Sequence, residues 1–352
     1  MQPLQLRDYQ KRGFEDGLKA VRRGKRSVVF VMPPGSGKTV LGTRFGRAVS
    51  QMLGGRVLWV AHRRELIKQA IATIRNVGFT AGAIAPRMKR DPDALFQVAS
   101  IQTLRSSSGD AIPADSAIMI WDECHHAVSD DWVHLAKEAR RKKVFLAGLT
   151  ATPERSDGRG LSPIFGTMIV VATSRQLVRQ GHLVPADVLV PDEVLENGIA
   201  DLPVRLWERH AHGTKTVVFC EGVDHAIEVA EEFALRGHSA AFVEGDMATT
   251  ERDRIIRRFV KGRVTVLTNC QILTEGFDLP PIRTVILARR IGSHSLYLQM
   301  VGRGSRPFEE KKRYLVLDLV GNARMYGLPE DDRVFSLQGR PIRLREGDEV
   351  AL

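Results

Sequence analysis

Met32-Pro33-Pro34-Gly35-Ser36-Gly37-Lys38-Thr39 is the stretch around which the chain is organised. Ahead of it, Ser27-Val28-Val29-Phe30-Val31 is a β-branched and aromatic run that predicts a buried strand. Behind it, Val40, Leu41, Phe45, Ala48 and Val49 recur at helical spacing. Strand, glycine loop and helix in that order are the context a phosphate-binding loop requires. Pro34, Gly35, Ser36 and Gly37 would form the loop, its glycines letting successive backbone N–H groups turn inward toward phosphate oxygens. Lys38 would reach the β- and γ-phosphates, and the Thr39 hydroxyl would ligate Mg²⁺. The pattern G-x-x-x-x-G-K-[ST] is met except at its first glycine, which is Met32 here. The loop by itself says only that a nucleotide binds.

The 352 residues leave room for two domains with cores of their own. With 43% hydrophobic and 26% charged residues the chain has the composition of a soluble globular protein. Its formal charge of +11 favours a polyanionic partner. Cys124, Cys220 and Cys270 are scattered with no C-x-x-C pair, which excludes a zinc ribbon or disulfide framework and fits a reducing cytoplasm. The N-terminus has no apolar signal core, and no run reaches membrane-spanning length, so no membrane partner is expected.

A helix is predicted from Leu6 to about Arg22, with Leu6, Phe14, Leu18 and Val21 toward a core. Within it, the Gln10 amide both donates and accepts, which suits the edge of an adenine. Arg56 to Ala61 predicts the next strand, followed by a helix that begins at His62-Arg63-Arg64. Cations at a helix start oppose its dipole, and either a docked nucleic-acid phosphate or a solvated basic face would account for them. Phe96 to Ala99 predicts a further strand ending in Ser100-Ile101-Gln102-Thr103, where Ser100 and Thr103 could hold a phosphodiester or cap a helix.

Ala117-Ile118-Met119-Ile120-Trp121 is a nearly continuous apolar run, as a central parallel strand should be. It delivers Asp122-Glu123-Cys124-His125-His126 to its carboxyl end, where ligands bind in open α/β sheets. Asp122 would hold Mg²⁺ through water, and Glu123 would orient and deprotonate the attacking water. A zinc site at Cys124, His125 and His126 is disfavoured, because consecutive residues rarely converge on one metal and H-E-x-x-H is absent. Val144 to Leu149 predicts another buried strand, ending in Thr150-Ala151-Thr152.

Gly35 to Thr39, Asp122-Glu123-Cys124-His125 and Thr150-Ala151-Thr152 resemble motifs I, II and III of the superfamily 2 helicases, DExH branch. A linker is predicted around Ala172 to Leu183, and strands and helices then recur without a second phosphate loop. In that second half, Leu267-Thr268-Asn269 through Thr274-Glu275-Gly276-Phe277-Asp278 resembles motif V, and Gln299 through Gly302-Arg303-Gly304-Ser305-Arg306 resembles motif VI. The resemblance is nearest to RadD-like helicases and restriction-enzyme R subunits and runs from Gln10 to about Asn322.

It implies an α/β fold of two tandem RecA-like domains, each a mostly parallel sheet flanked by helices. The divisions expected are an ATP-binding domain over 1–172, a C-terminal helicase domain over 173–325 and an extension over 326–352. It further implies ATP and Mg²⁺ as cofactors and a nucleic-acid partner, with DNA preferred over RNA. Gly276, Asp278 and Gln299 would lie on the nucleotide side. Arg63, Ser100, Thr103, Thr268 and Thr274 would lie on the nucleic-acid side, and Arg303 and Arg306 would serve as arginine fingers. The activity implied is that of a helicase or translocase, with a motor subunit of a restriction or repair complex, or an RNA helicase, as the alternative.

Overall fold

The computed structural model describes residues 4–106, 110–126, 130–154, 159–191, 201–270, 272–273, 282–308 and 310–343. It divides into two units, one formed by 1–173 with 333–352 and the other by 174–332.

In the first unit, helix α1 (Asp8–Arg22) precedes strand β1 (Ser27–Val31), helix α2 (Lys38–Leu53) and strand β2 (Arg56–Ala61). Helix α3 (Arg64–Val77), strands β3 (Ala81–Ile84) and β4 (Phe96–Ser100) and the short helix α4 (Ile101–Arg105) follow. Strand β5 (Ser116–Asp122), a 3₁₀ turn at Cys124–His126, helix α5 (Asp130–Arg141), strand β6 (Phe145–Thr150) and strand β7 (Met168–Val170) complete it. The seven strands form a parallel sheet in the order β3-β4-β2-β5-β6-β1-β7. The apolar runs predicted as strands lie in its centre, buried along nearly their whole length because helices cover both faces.

The topology makes the ends of β5, β6 and β1 neighbours. Val31 is in register with Thr150, and Asp122 with Leu149. Met32 N–H donates to the Thr150 carbonyl at 2.9 Å, so the residue entering the loop is clamped to the strand beside it.

The buried face of α1 differs from expectation. Leu6, Phe14 and Leu18 are only partly covered or exposed, and the core side is Tyr9, Gln10, Gly13, Gly17, Ala20 and Val21. A Cβ at Gly17 would lie 2.6 Å from Phe30 and 2.7 Å from Phe45. The helix therefore approaches the sheet through its glycines, and the two phenylalanines, whose centroids are 4.9 Å apart edge to face, fill the space a side chain would take.

The second unit begins with helix α6 (Ser174–Arg179), where a linker was expected. It continues through strand β8 (Ala186–Leu189), helix α7 (Asp201–His210), strand β9 (Thr216–Cys220), helix α8 (Val223–Leu235), strand β10 (Ala240–Val243), helix α9 (Thr249–Val260) and strand β11 (Val266–Asn269). Strand β12 (Thr284–Ala288), helix α10 (His294–Val301), strand β13 (Tyr314–Asp318) and helix α11 (Asn322–Tyr326) end it. Its six strands are again parallel, in the order β10-β11-β9-β12-β13-β8.

The chain then returns to the first unit as an antiparallel hairpin of strands β14 (Arg333–Ser336) and β15 (Gly339–Arg343). Ser162 N–H donates to the Leu337 carbonyl at 2.8 Å, Arg159 bridges to Gly339, and Leu337 packs on the core beside β5 and β6. Among the described residues no helix is long and apolar enough to cross a membrane.

Candidate functional site

The phosphate-loop stretch leaves β1 and enters α2 through Gly35 (φ 78°) and Gly37 (φ 79°), both left-handed, a conformation that costs other residues strain. Lys38 is the first helical residue, so the loop meets the N-terminal N–H groups that no helical turn satisfies. The loop is tied to α1 by its carbonyls. Tyr9 hydroxyl donates to Ser36 O at 2.8 Å, and Gln10 Nε2 donates to Ser36 O at 3.0 Å and to Gly37 O at 3.1 Å. Gln10 Oε1 accepts from Arg7 N–H at 2.9 Å. Gln10, expected at an adenine edge, here uses its amide on the loop itself. Tyr9 was not anticipated; its one signal is an aromatic hydroxyl next to Gln10, and burial pushes its pKa up.

Asp122 closes β5 with its side chain buried, and Glu123 follows in the left-handed region at φ 49°. That conformation is uncommon for a residue with a long side chain and costs about 1–3 kcal/mol unless its surroundings hold it. It directs the carboxylate to two partners: Glu123 Oε1 is 3.4 Å from Lys38 Nζ, and Oε2 is 3.5 Å from His125 Nδ1. His125 Nδ1 is also 3.1 Å from Thr150 Oγ1, whose hydroxyl donates to Thr152 O at 2.6 Å. Loop lysine, carboxylate, histidine and threonine thus form one continuous polar path across three adjacent strand ends. Cys124 does not share in it. It lies in the core, where a Cβ at Gly148 would come within 2.7 Å of its sulfur, and burial drives its thiol pKa well up.

A second concavity, a cavity of about 360 Å³, opens at the ends of β2, β3 and β4, lined by His62, Arg64, Ile67, Ala85, Pro86, Arg87, Ser100 and Gln102. Ser100 is the N-cap of α4, its oxygen accepting from Thr103 N–H at 3.0 Å and lying 2.9 Å from Thr103 Oγ1, and it also lines the cavity. Arg63 is the N-cap residue of α3, and Arg64 beside it lines the cavity and reaches Arg87 O at 3.4 Å. Arg87 and Gln102 were not anticipated as lining, since nothing local in the sequence brings the β3 loop against α4.

In the second unit, α10 is capped by Ser293, whose oxygen accepts from Leu296 N–H at 3.3 Å, and it ends at Val301. Gln299 is buried on it. Arg303 and Arg306 lie in the turns after it. Burial lowers the pKa of the Arg306 guanidinium. Lys311 holds this turn by donating to Gly304 O and, at 3.0 Å, to Arg306 O. Burial, reinforced by Arg283 and Arg306, brings the Lys311 pKa down to about 8. Thr268, expected on the nucleic-acid side, is fully buried, and its hydroxyl donates to Ala226 O at 2.6 Å, which joins β11 to α8. Thr274, Gly276 and Asp278 lie outside the described residues.

Two family models match the chain: "Type III restriction enzyme, res subunit" over residues 3–155 and "Helicase conserved C-terminal domain" over 196–307. A protein of Schizosaccharomyces pombe named as a mitochondrial ATP-dependent helicase, irc3, is 30% identical over 95% of this chain and 60% of its own length. The Saccharomyces cerevisiae protein named as the ATP-dependent helicase IRC3 is 28% identical over 90% of this chain and 51% of its own. The chain thus spans between half and two thirds of the length of these relatives. Among solved structures, a fragment described as the HsdR subunit of a type I restriction enzyme from Vibrio vulnificus YJ016 superposes with a TM-score of 0.72 at 23% identity, covering 95% of this chain and 69% of that one, which shows the shared fold.

Proposed function

We propose that this chain, which matches the res-subunit and conserved C-terminal helicase models, is a superfamily 2 DExH-type, ATP-driven nucleic-acid motor acting on DNA. The observation that carries the reading is the approach of Lys38 Nζ to Glu123 Oε1, 3.4 Å, at the mouth of a left-handed glycine loop. A lysine for phosphate charge and a carboxylate for the attacking water stand side by side, which is what hydrolysis of a terminal phosphate needs. Thr39 and Asp122, next in sequence to that pair, offer a hydroxyl and a carboxylate, the hard oxygen donors that Mg²⁺ takes. When bound, the ion neutralises phosphate charge.

Glu123 accepts the proton of water, and the His125 ring stands 3.5 Å from its other oxygen. Arg303 and Arg306 supply further positive charge to the nucleotide. The cavity bearing Arg64, Arg87, Ser100 and Gln102 takes backbone phosphates of the strand. DNA is preferred because the first domain's family is named for a restriction enzyme. The same name supports the second reading, a motor subunit of a restriction or repair complex. Hydrolysis measured with and without single-stranded DNA, with RNA alongside, tests the motor. Stimulation by DNA that weakens steeply from low to moderate salt is expected. Turnover indifferent to every nucleic acid would refute it.

A further inference from the structure

Three histidine rings lead from the basic cavity toward the Glu123 carboxylate. His62 lines the basic cavity, with its carbonyl accepting from Gln102 Nε2 at 3.2 Å. Its ring lies 4.3 Å, centroid to centroid, from the ring of His126. The His126 ring in turn lies 4.2 Å from that of His125. His125 is buried and reaches both Glu123 Oε2 and Thr150 Oγ1 through Nδ1. The middle ring is not among the residues that line the cavity, and the ring that approaches the carboxylate is its neighbour's.

We propose that His126 is a positioning residue that couples occupancy of the basic cavity by nucleic-acid phosphate to the setting of the Glu123 carboxylate, through ring contacts from His62 to His125. The inference rests on the function proposed above. An anion entering the cavity meets His62 and Arg64 among its lining residues. His62 and His126 are half-buried, while His125, the last ring, is buried where little free volume remains to absorb a displacement passed to it. The receiving element is suited to respond. Glu123 sits on left-handed backbone with its two oxygens divided between Lys38 and His125, so a small shift of the His125 ring changes which partner the carboxylate favours. The backbone of the turn, including His126 N–H donating to Glu123 O at 3.1 Å, does not depend on the His126 side chain.

The test compares the full chain with its His126→Ala and His126→Phe variants. ATP turnover is measured with no nucleic acid and with saturating single-stranded DNA, and DNA affinity is measured by fluorescence anisotropy. His126→Ala should keep its DNA-free turnover and DNA affinity while stimulation falls by about 2- to 30-fold, the range single positions on coupling paths carry. His126→Phe, which keeps a ring in place, should retain most of the stimulation. A His126→Ala variant stimulated as fully as the natural chain overturns the coupling and leaves the motor reading standing. So does a His126→Phe variant that folds, hydrolyses ATP without DNA, and yet loses as much stimulation as the alanine. A natural chain that DNA does not stimulate overturns both.

Discussion

Strand β1 of the first unit and strand β9 of the second are both buried parallel strands that lead through a glycine turn into a helix. At β1 the turn is left-handed, the next residue is Lys38, and the first turn of α2 carries no acid. At β9 the turn is Glu221-Gly222, with Gly222 extended at φ −134°, and Asp224 lies in the first turn of α8. A helix N-terminus favours an anion by about 0.3–1 kcal/mol, more when partly buried. In α2 that preference adds to a lysine, and in α8 the first turn already carries a carboxylate, Asp224. The same scaffold therefore favours an anion at the end of β1 more than at the end of β9, and the difference lies in the residues that follow each strand.

The sharpest way to break that contrast is through Arg306. If the second unit lacks a phosphate loop but still serves the nucleotide, Arg306→Lys should bind ATP nearly normally and lose turnover by as much as about 10³–10⁵, the range for arginine fingers. Lysine lacks the planar fork of donors. Near-normal phosphate release from both Arg303→Lys and Arg306→Lys would confine the chemistry to the first unit. Within that unit, Glu123→Gln should keep nucleotide binding and lose about 10²–10⁴ in turnover, while Lys38→Ala should weaken binding itself. Nucleotide titration with single-turnover hydrolysis separates them, and equal binding loss in both would show that the pair acts as one structural element.

Smaller effects sharpen the second unit. Thr268→Val should cost about 0.5–1.5 kcal/mol in denaturant unfolding, because the hydroxyl's bond to Ala226 O is lost while that carbonyl keeps its helical donor, and should leave DNA affinity unchanged. A loss of affinity with no loss of stability would return Thr268 to the nucleic acid. Lys311 gives the least effect and a definite sign. Its pKa is about 8 in the folded chain against an ordinary 10.5, so between those values the unfolded chain binds the extra proton and stability rises with pH. Lys311→Met should flatten that rise in a series of melts from pH 8 to 10.5.

The parts of the site legible in the sequence are those carried by consecutive residues. The loop at Gly35 to Thr39 and the acidic pair at Asp122 and Glu123 each combine a buried strand with polar residues at its end, a pattern that needs no distant partner. What was not legible depends on approach across the fold. The glycine face of α1 is invisible without Phe30 and Phe45 beside it. Strand β3, Ala81–Ile84, is made of residues too small to show a β pattern, and it pairs only because β4 lies alongside. Thr268 and Cys124 sit in motifs that point to function, yet each packs inward, one onto a helix carbonyl and the other against Gly148. A hydroxyl or thiol in a motif does not reveal which side of a strand end it faces.

The hairpin at 333–343 gives the chain a clasp. The backbone leaves the first unit at 173–174 and re-enters it at 332–333, where the hairpin bonds to Ser162 and Arg159. Cleavage at the earlier crossing would therefore not yield two strangers. The carboxyl fragment would carry a strand pair whose docking place is on the amino fragment, and the halves would complement one another as a split protein does, held by the Leu337 carbonyl and the core beneath its side chain.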